Sequence, residues 1–248
     1  NQKVIRFVYM PMLAEVGKDA FYSCQNIRAI VGNELKEIGS SAFQSNYNLE
    51  RINIKNVEKL NDSVFNYCGF SAFACDCSSI AERAIVWNLQ LEYLDLPNVV
   101  EFDADIIQRC DNLKQIRMPK LENLKGKLPE HIQVTDDSSE FLKKDRQIVD
   151  KLDPGFKFDG FDKNILKQFQ TNEKSDDIIR SKVLYCTEFN NQQLQGIRAV
   201  VMMNQPVIEE EAFSQNNMLK FVYAPNTQTL KMMAFSECQF LSRFQSNS

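Results

Sequence analysis

Seven cysteines and a single histidine carry most of the nucleophilic and metal-ligating potential of this 248-residue chain. Cys24, Cys68, Cys75, Cys77, Cys110, Cys186 and Cys238 would act as thiolates, the form that attacks and ligates. Any Cys–His or Ser–His–acid site must use His131, which lies next to Glu130 and near Asp136 and Asp137. One histidine excludes a two-His zinc motif. Cys75-x-Cys77 with the distant Cys186 is not a recognised zinc spacing. Glu209-Glu210-Glu211 could bind calcium, but charge at the start of a short helix is the simpler reading, favoured there by about 0.3–1 kcal/mol. The eight glycines include no G-x-G pair, and no P-loop string occurs. No cofactor and no metal site is expected, and His131 reads as an exposed loop residue. An enzyme with a site near His131 is the least favoured alternative.

The elements that position these residues repeat. Phe21, Phe43 and Phe65 are spaced by 22 residues, and Ile5, Ile27 and Leu49 keep the same step. Leu91 and Leu113 repeat it, as do Leu219 and Leu241. Each unit opens with apolar-x-x-apolar-x-apolar, as in Leu49, Ile52, Ile54 or Leu113, Ile116, Met118. Its last positions alternate with the strand period. Pro11, Pro97, Pro119 and Pro225 follow such strings, and proline lacks the ladder donor that would continue a strand. Gly39-Ser40 and Asn61-Asp62 suit a turn or the cap of a short helix. Then come the pairs Ala20-Phe21, Ala42-Phe43, Val64-Phe65, Ala212-Phe213 and Ala234-Phe235. Three residues after each Phe position stands Cys or Asn: Cys24, Asn46, Cys68, Cys110, Asn216, Cys238. A small buried thiol in each turn is the expected role of these cysteines. One unit cannot bury its apolar face alone; stacked units bury one another.

This grammar resembles the BspA-like leucine-rich repeats. Leu35-x-x-Ile38-Gly39-x-x-Ala42-Phe43, then Leu49-x-x-Ile52-x-Ile54, carries the resemblance, and Ala234-Phe235-x-x-Cys238-x-x-Leu241 repeats it. It covers about residues 4–128 and 192–244, with a faint unit between Ser71 and Gln90 and a longer step of 25 from Leu194 to Leu219. The expected fold is an α/β repeat, a leucine-rich-repeat solenoid with a curved parallel sheet and about 22 residues per unit. The resemblance implies a surface-exposed protein of a bacterium or protist with a role in adhesion or host contact.

The cadence is lost from Pro129 to about Ser181. Between Asp136 and Lys182, 11 acidic and 10 basic residues fall in 47, about 45% against 25% for the chain. Asp137 with Glu140 reads as a capping box, and Phe141, Ile148, Val149 and Leu152 fall near one helical face. Phe161, Ile165, Leu166 and Phe169 make a second short face. Ile132-x-Val134 and Val183-x-Tyr185 are expected to continue the sheet, with helices between them; a helical insertion looped out of the solenoid is the alternative. The organisation expected is therefore repeats over 1–128, a charged, partly helical interruption of the same solenoid over 129–181, and repeats over 182–248. The chain opens on Asn1 and shows no clear polar cap at either end, so a fragment of a longer array or a partly capped module is expected.

Net charge is −4, which gives no bulk electrostatic case for nucleic acid, and no apolar run approaches a membrane span. Asn61-Asp62-Ser63 is a sequon, meaningful only in a eukaryotic secretory pathway. If the first, fourth and sixth positions of each opening string point inward, the third and fifth point out. Phe7, Tyr9, Arg51, Tyr93, Asp95, Arg117, Arg198, Phe221 and Tyr223 then form a contact face of the type that protein interfaces use. The expected function is a non-catalytic binding or adhesion module, surface-exposed or secreted, that meets a protein or other macromolecule through this face. An intracellular interaction scaffold with reduced thiols is the alternative.

Overall fold

The structure, a computed structural model, describes residues 7–136, 164–165, 167, 177–180, 182–186, 188–189 and 196–245. Each repeat forms one coil, and the coils stack through parallel strands. One sheet runs in the spatial order Val183–Cys186, Ala199–Met202, Phe221–Tyr223, Arg243–Gln245, Phe7–Tyr9, Ala29–Val31, Arg51–Ile52. Ile178–Arg180 adds antiparallel to its outer edge. A second sheet continues with Ala72–Ala74, Tyr93–Asp95, Gln115–Arg117 and Gln133–Thr135. The two are joined by coil packing: Lys59–Leu60 pairs with Ser79–Ile80, and the amides of Phe65 and Tyr67 donate to the carbonyls of Ala84 and Val86 at 2.9 and 3.3 Å. Strands end just before Pro11, Pro97, Pro119 and Pro225, as their chemistry requires.

The order of coils in space is not their order in sequence. Arg243–Gln245 lies beside Phe7–Tyr9, with Phe7 opposite Arg243 and Phe7 also opposite Ala29 on the other side. A second row of strands keeps the same order: Val207–Ile208, Thr229–Leu230, Glu15–Val16, Glu37–Ile38. The strand Gln133–Thr135 and the pair at 178–186 therefore sit at opposite ends of the stack. Both Ile132-x-Val134 and Val183-x-Tyr185 do contribute strands, but those strands are not neighbours.

One elongated core runs through the stack. Phe21, Phe43, Phe65, Phe213 and Phe235 are fully buried in one cluster with the Leu and Ile of the opening strings. Their rings stack almost parallel in spatial order. Phe213–Phe235 is 4.9 Å, Phe235–Phe21 5.7 Å, Phe21–Phe43 5.5 Å and Phe43–Phe65 5.6 Å. Such pairs contribute about 0.5–1.5 kcal/mol each beyond the apolar area they remove from water. Gly17 and Gly39 sit where adjacent coils touch; a Cβ at Gly17 would lie 2.6 Å from the backbone carbon of Lys231.

The segment around each Phe is a turn and not a helix, which corrects the α/β expectation. Alternate amides leave the coil: Asp19 donates to Ser40, Phe21 to Ala42 and Ser23 to Gln44, at 3.0, 2.8 and 2.9 Å. The amides between them close short i−3 bonds, as from Tyr22 to Asp19 at 3.0 Å. This alternation puts residues in the left-handed region, among them Asp19, Ser23, Ser41 and Ser45 with φ of 54–62°. An α-helix would turn every amide back on its own coil and leave the neighbour's carbonyls without donors. Among the described residues, helical backbone is limited to the 3₁₀ turn Ala104–Ile107 and to Asn164, Ile165 and Lys167. The partly helical interruption accordingly gains no support. The helical face of Phe141, Ile148, Val149 and Leu152 lies outside the described residues, as do Phe161, Leu166 and Phe169.

Phe43 touches ring neighbours on both sides, so Phe43→Ala should cost roughly 3–5 kcal/mol, measured by chemical denaturation. A variant with the parent's midpoint would contradict the shared core.

Candidate functional site

The repeated Cys/Asn position has a defined job. Six of these side chains donate across the coil boundary to the carbonyl at the Phe position of the preceding coil in space, whereas Asn216 instead accepts from the Met218 and Leu219 amides at 3.2 and 3.1 Å. The bonds are Cys238 to Phe213 (2.9 Å), Cys24 to Phe235 (3.0 Å), Asn46 to Phe21 (2.8 Å) and Cys68 to Phe43 (3.3 Å). Asn88 to Phe65 (3.0 Å) and Cys110 to Ile85 (3.4 Å) complete six consecutive rungs. A buried carbonyl without a donor is costly, and either thiol or amide supplies one at this size. All seven cysteines are buried and unpaired. Burial pushes the Cys24, Cys68 and Cys75 thiols well up, Cys110 up to about 11, and Cys186 and Cys238 to about 12. They are neutral donors at physiological pH, not nucleophiles. Cys75 and Cys77 lie together, the Cys77 amide donating to the Cys75 sulfur at 3.2 Å.

The other chemical candidates disperse. His131 is exposed and lines a pocket of about 290 Å³ near one end of the stack with Asp105, Asp111 and Arg109. Cys110 also borders it, but its proton is committed to the Ile85 carbonyl. Glu209 pairs with Lys231 at 2.5 Å on the next coil, and Glu211 takes a left-handed turn at φ 55°. No helix starts there, which corrects the helix-dipole reading of this acidic run. Asn61 of the sequon donates its amide to the Ile38 carbonyl at 2.7 Å. Among the described residues, no three His, Cys, Asp or Glu side chains group as a metal site.

The strand face is uneven. Arg51 and Arg198 are exposed, Tyr9 and Tyr93 half-buried. Asp95 is buried and forms an ion pair with the half-buried Arg117 at 2.8 Å, without hydrogen-bond alignment. Phe221 and Tyr223 are each only 8% exposed; with Tyr185, Val201 and Met203 they form a second apolar cluster that Ile165 covers. The side chain of Phe7 lies outside the described residues.

A second surface feature escapes a reading by strand positions. Tyr67, Trp87 and Arg109 each precede a rung of the donor column, at Cys68, Asn88 and Cys110. Their side chains stack along the ridge of turns. Tyr47 meets Tyr67 edge-on at 6.1 Å, Tyr67 stacks on Trp87 at 5.4 Å, and the Arg109 guanidinium sits 5.2 Å from the Trp87 ring. Tyr47 is 50% and Trp87 37% exposed. Tyr67, Trp87 and Arg109 hold φ of 56–62°, a region unfavourable for large side chains, where other coils place Ser23, Ser45 or Gln215. Alignment on the Cys/Asn column would have found them.

The model of the BspA type leucine rich repeat region matches the chain in six copies over residues 3–86 and 157–242. The chain belongs to this family. The match reaches back to residue 157, inside the stretch read from sequence as an interruption. No curated protein matches the chain. Among solved structures, a leucine rich cell surface protein from Faecalibacterium prausnitzii A2-165 is 15% identical, with 97% of this chain and 69% of that chain covered and a TM-score of 0.35. A likeness at that score carries no argument. The BspA-type family is generally a repeat scaffold without enzymatic activity, and among the described residues no helix is long and apolar enough to cross a membrane.

Two measurements follow from the thiols. The folded protein should leave a thiol reagent unreacted at neutral pH, and all seven groups should react after unfolding. Above the ordinary value of 9.0 the unfolded chain loses thiol protons that the folded chain keeps, so the unfolded state binds fewer protons and stability falls as pH rises. Each such thiol removes up to about 1.4 kcal/mol per pH unit until its folded value is reached. Between pH 9 and 10.5 the denaturation midpoint of the parent should therefore fall more steeply than that of a Cys110→Ala, Cys238→Ala variant; equal slopes would contradict the assignment.

Proposed function

We propose that this BspA-type repeat array is a surface-exposed binding or adhesion module that holds a macromolecular partner against its strand face. The observation that carries the reading is the face itself. Tyr9, Arg51 and Tyr93 stand on alternate coils, with the strands Ala29–Val31 and Ala72–Ala74 between them, and are half-buried or exposed on a backbone fixed by the neighbouring coils. Rigid aromatic and arginine side chains are the usual anchors of protein interfaces. Arg198 is exposed but precedes the strand Ala199–Met202, where Ala199 stands opposite Phe221, so it lies outside the strand rows of the face, whereas Asp95, Phe221 and Tyr223 are committed to contacts within the chain. The ridge of Tyr47, Tyr67, Trp87 and Arg109 adds a second candidate strip; large residues kept in a left-handed turn at a cost to stability favour a role in contact.

One observation favours an intracellular scaffold as the second reading: all seven thiols are unpaired. Their redox state in protein taken from the native source separates the two compartments.

Replacing Tyr9, Arg51 and Tyr93 together with Ser should leave the melting temperature within a few degrees of the parent. Capture of the partner from the native source should weaken at least tenfold, the loss expected when anchors worth above 1 kcal/mol are removed. Capture at parental strength would remove the strand face as the contact site. Trp87 is the only tryptophan, so a partner seated on the ridge should also shift the intrinsic fluorescence.

A further inference from the structure

We propose that the joint between the coil ending in Arg243–Gln245 and the coil opening with Phe7–Tyr9 also forms between two copies of the chain, each lending its 177–245 coils to the other's 7–136 coils. The joint is built like every other step of the stack. Across it run three paired residues of the strand row, Thr229–Leu230 against Glu15–Val16, and amide bonds from Met233, Phe235 and Glu237 to Lys18, Ala20 and Tyr22 at 2.8, 2.8 and 2.7 Å. The donor column crosses it through Cys24 and the Phe235 carbonyl, and the ring stack through Phe235 and Phe21. On the surface the Asn26 amide reaches the Gln239 carbonyl. Nothing in these contacts depends on which copy supplies which side.

Within the chain, the two blocks are tied covalently only through residues 137–176. If the joint opened, Phe21 and Val8 on one side and Phe235 and Leu230 on the other, all now fully buried, would face water. Each block therefore needs the other, from its own chain or from a second copy. From Gln133–Thr135 to Ile178–Arg180 the stack rises eleven strand steps, about 53 Å at 4.8 Å per step. The 40 connecting residues cover that distance at most about 3.3–3.6 Å each, so closure within the chain is permitted, and at dilute concentration it prevails, because a tethered end acts at an effective concentration on the order of mM. Chains that fold together at high concentration meet the same surface on a neighbour. An exchanged pair closes on itself and leaves no joint unfilled.

The test uses the full chain with Asn26→Cys and Gln239→Cys, two surface positions on opposite sides of the joint; the native thiols are buried. The double variant, oxidised at low concentration, should form a bond within one chain and run as a compact species of 28.7 kDa. The two single variants, unfolded together under reducing conditions, refolded at increasing concentration and oxidised only once folded, should form a mixed disulfide of twice that mass. Its yield should rise with concentration and exceed severalfold that from Asn26→Cys with Lys127→Cys, an exposed position near the end of the stack formed by Gln133–Thr135. A mixed yield no greater than this control at every concentration would overturn exchange between copies. Failure of the double variant to close in either form would overturn the joint itself.

Discussion

Every coil of this protein is incomplete without its neighbours, because half the amides of its turns point out of the coil. Asp19, Phe21 and Ser23 donate to the next coil, and that coil's Ser41, Phe43 and Ser45 donate onward to Asp62, Val64 and Asn66. The same requirement fixes the residue types. From Phe213 to Ile85 the carbonyl at each Phe position is buried by the next coil in space, and the Cys or Asn three residues after the next Phe position supplies a small donor to it. Cys and Asn alternate irregularly along the column because either meets the need. The cysteines are thus part of the backbone's hydrogen bonding, and their neutrality follows from the burial that makes them useful.

The core was largely readable from the sequence, since Leu, Ile and Phe at a 22-residue step leave few other ways to bury so much apolar surface. What was misread came from cues that serve two structures. Gly39-Ser40 and Asn61-Asp62 suit a turn and a helix cap equally, and of the two it is turns that they open, with amides that serve the next coil. Asn88 went unrecognised because its unit is shorter, Asn88 following Cys68 by 20 residues. The ridge of Tyr67, Trp87 and Arg109 was hidden with it, since each lies one residue before the column. The cover that Ile165 places over Phe221 and Tyr223 had no sequence signal, because strand alternation says which way a side chain points but not what lies above it. The spatial order of the coils was also illegible. Repeat grammar specifies a surface that fits any neighbour, so it cannot say that residue 243 lies beside residue 7.

That interchangeability links architecture to function. A stack of equivalent coils offers an extended face whose outward positions are free to vary while inward positions are held by packing. Here the outward positions divide. Around Tyr9, Arg51 and Tyr93 the face is open, and over Phe221 and Tyr223 it is closed by the chain's own residues. A binding module needs only the open part, and the chemistry-bearing residues do not converge anywhere on it.

Amide hydrogen exchange tests the stacked-coil account most directly. The amides of Phe21, Phe43, Phe213 and Phe235 each donate to the adjacent coil at 2.8–3.1 Å, and Phe235 does so across the boundary between the two ends of the described chain. The account predicts slow exchange at all four, with Phe235 protected to within about tenfold of Phe43. Rapid exchange at Phe235 beside strong protection at Phe43 would contradict it.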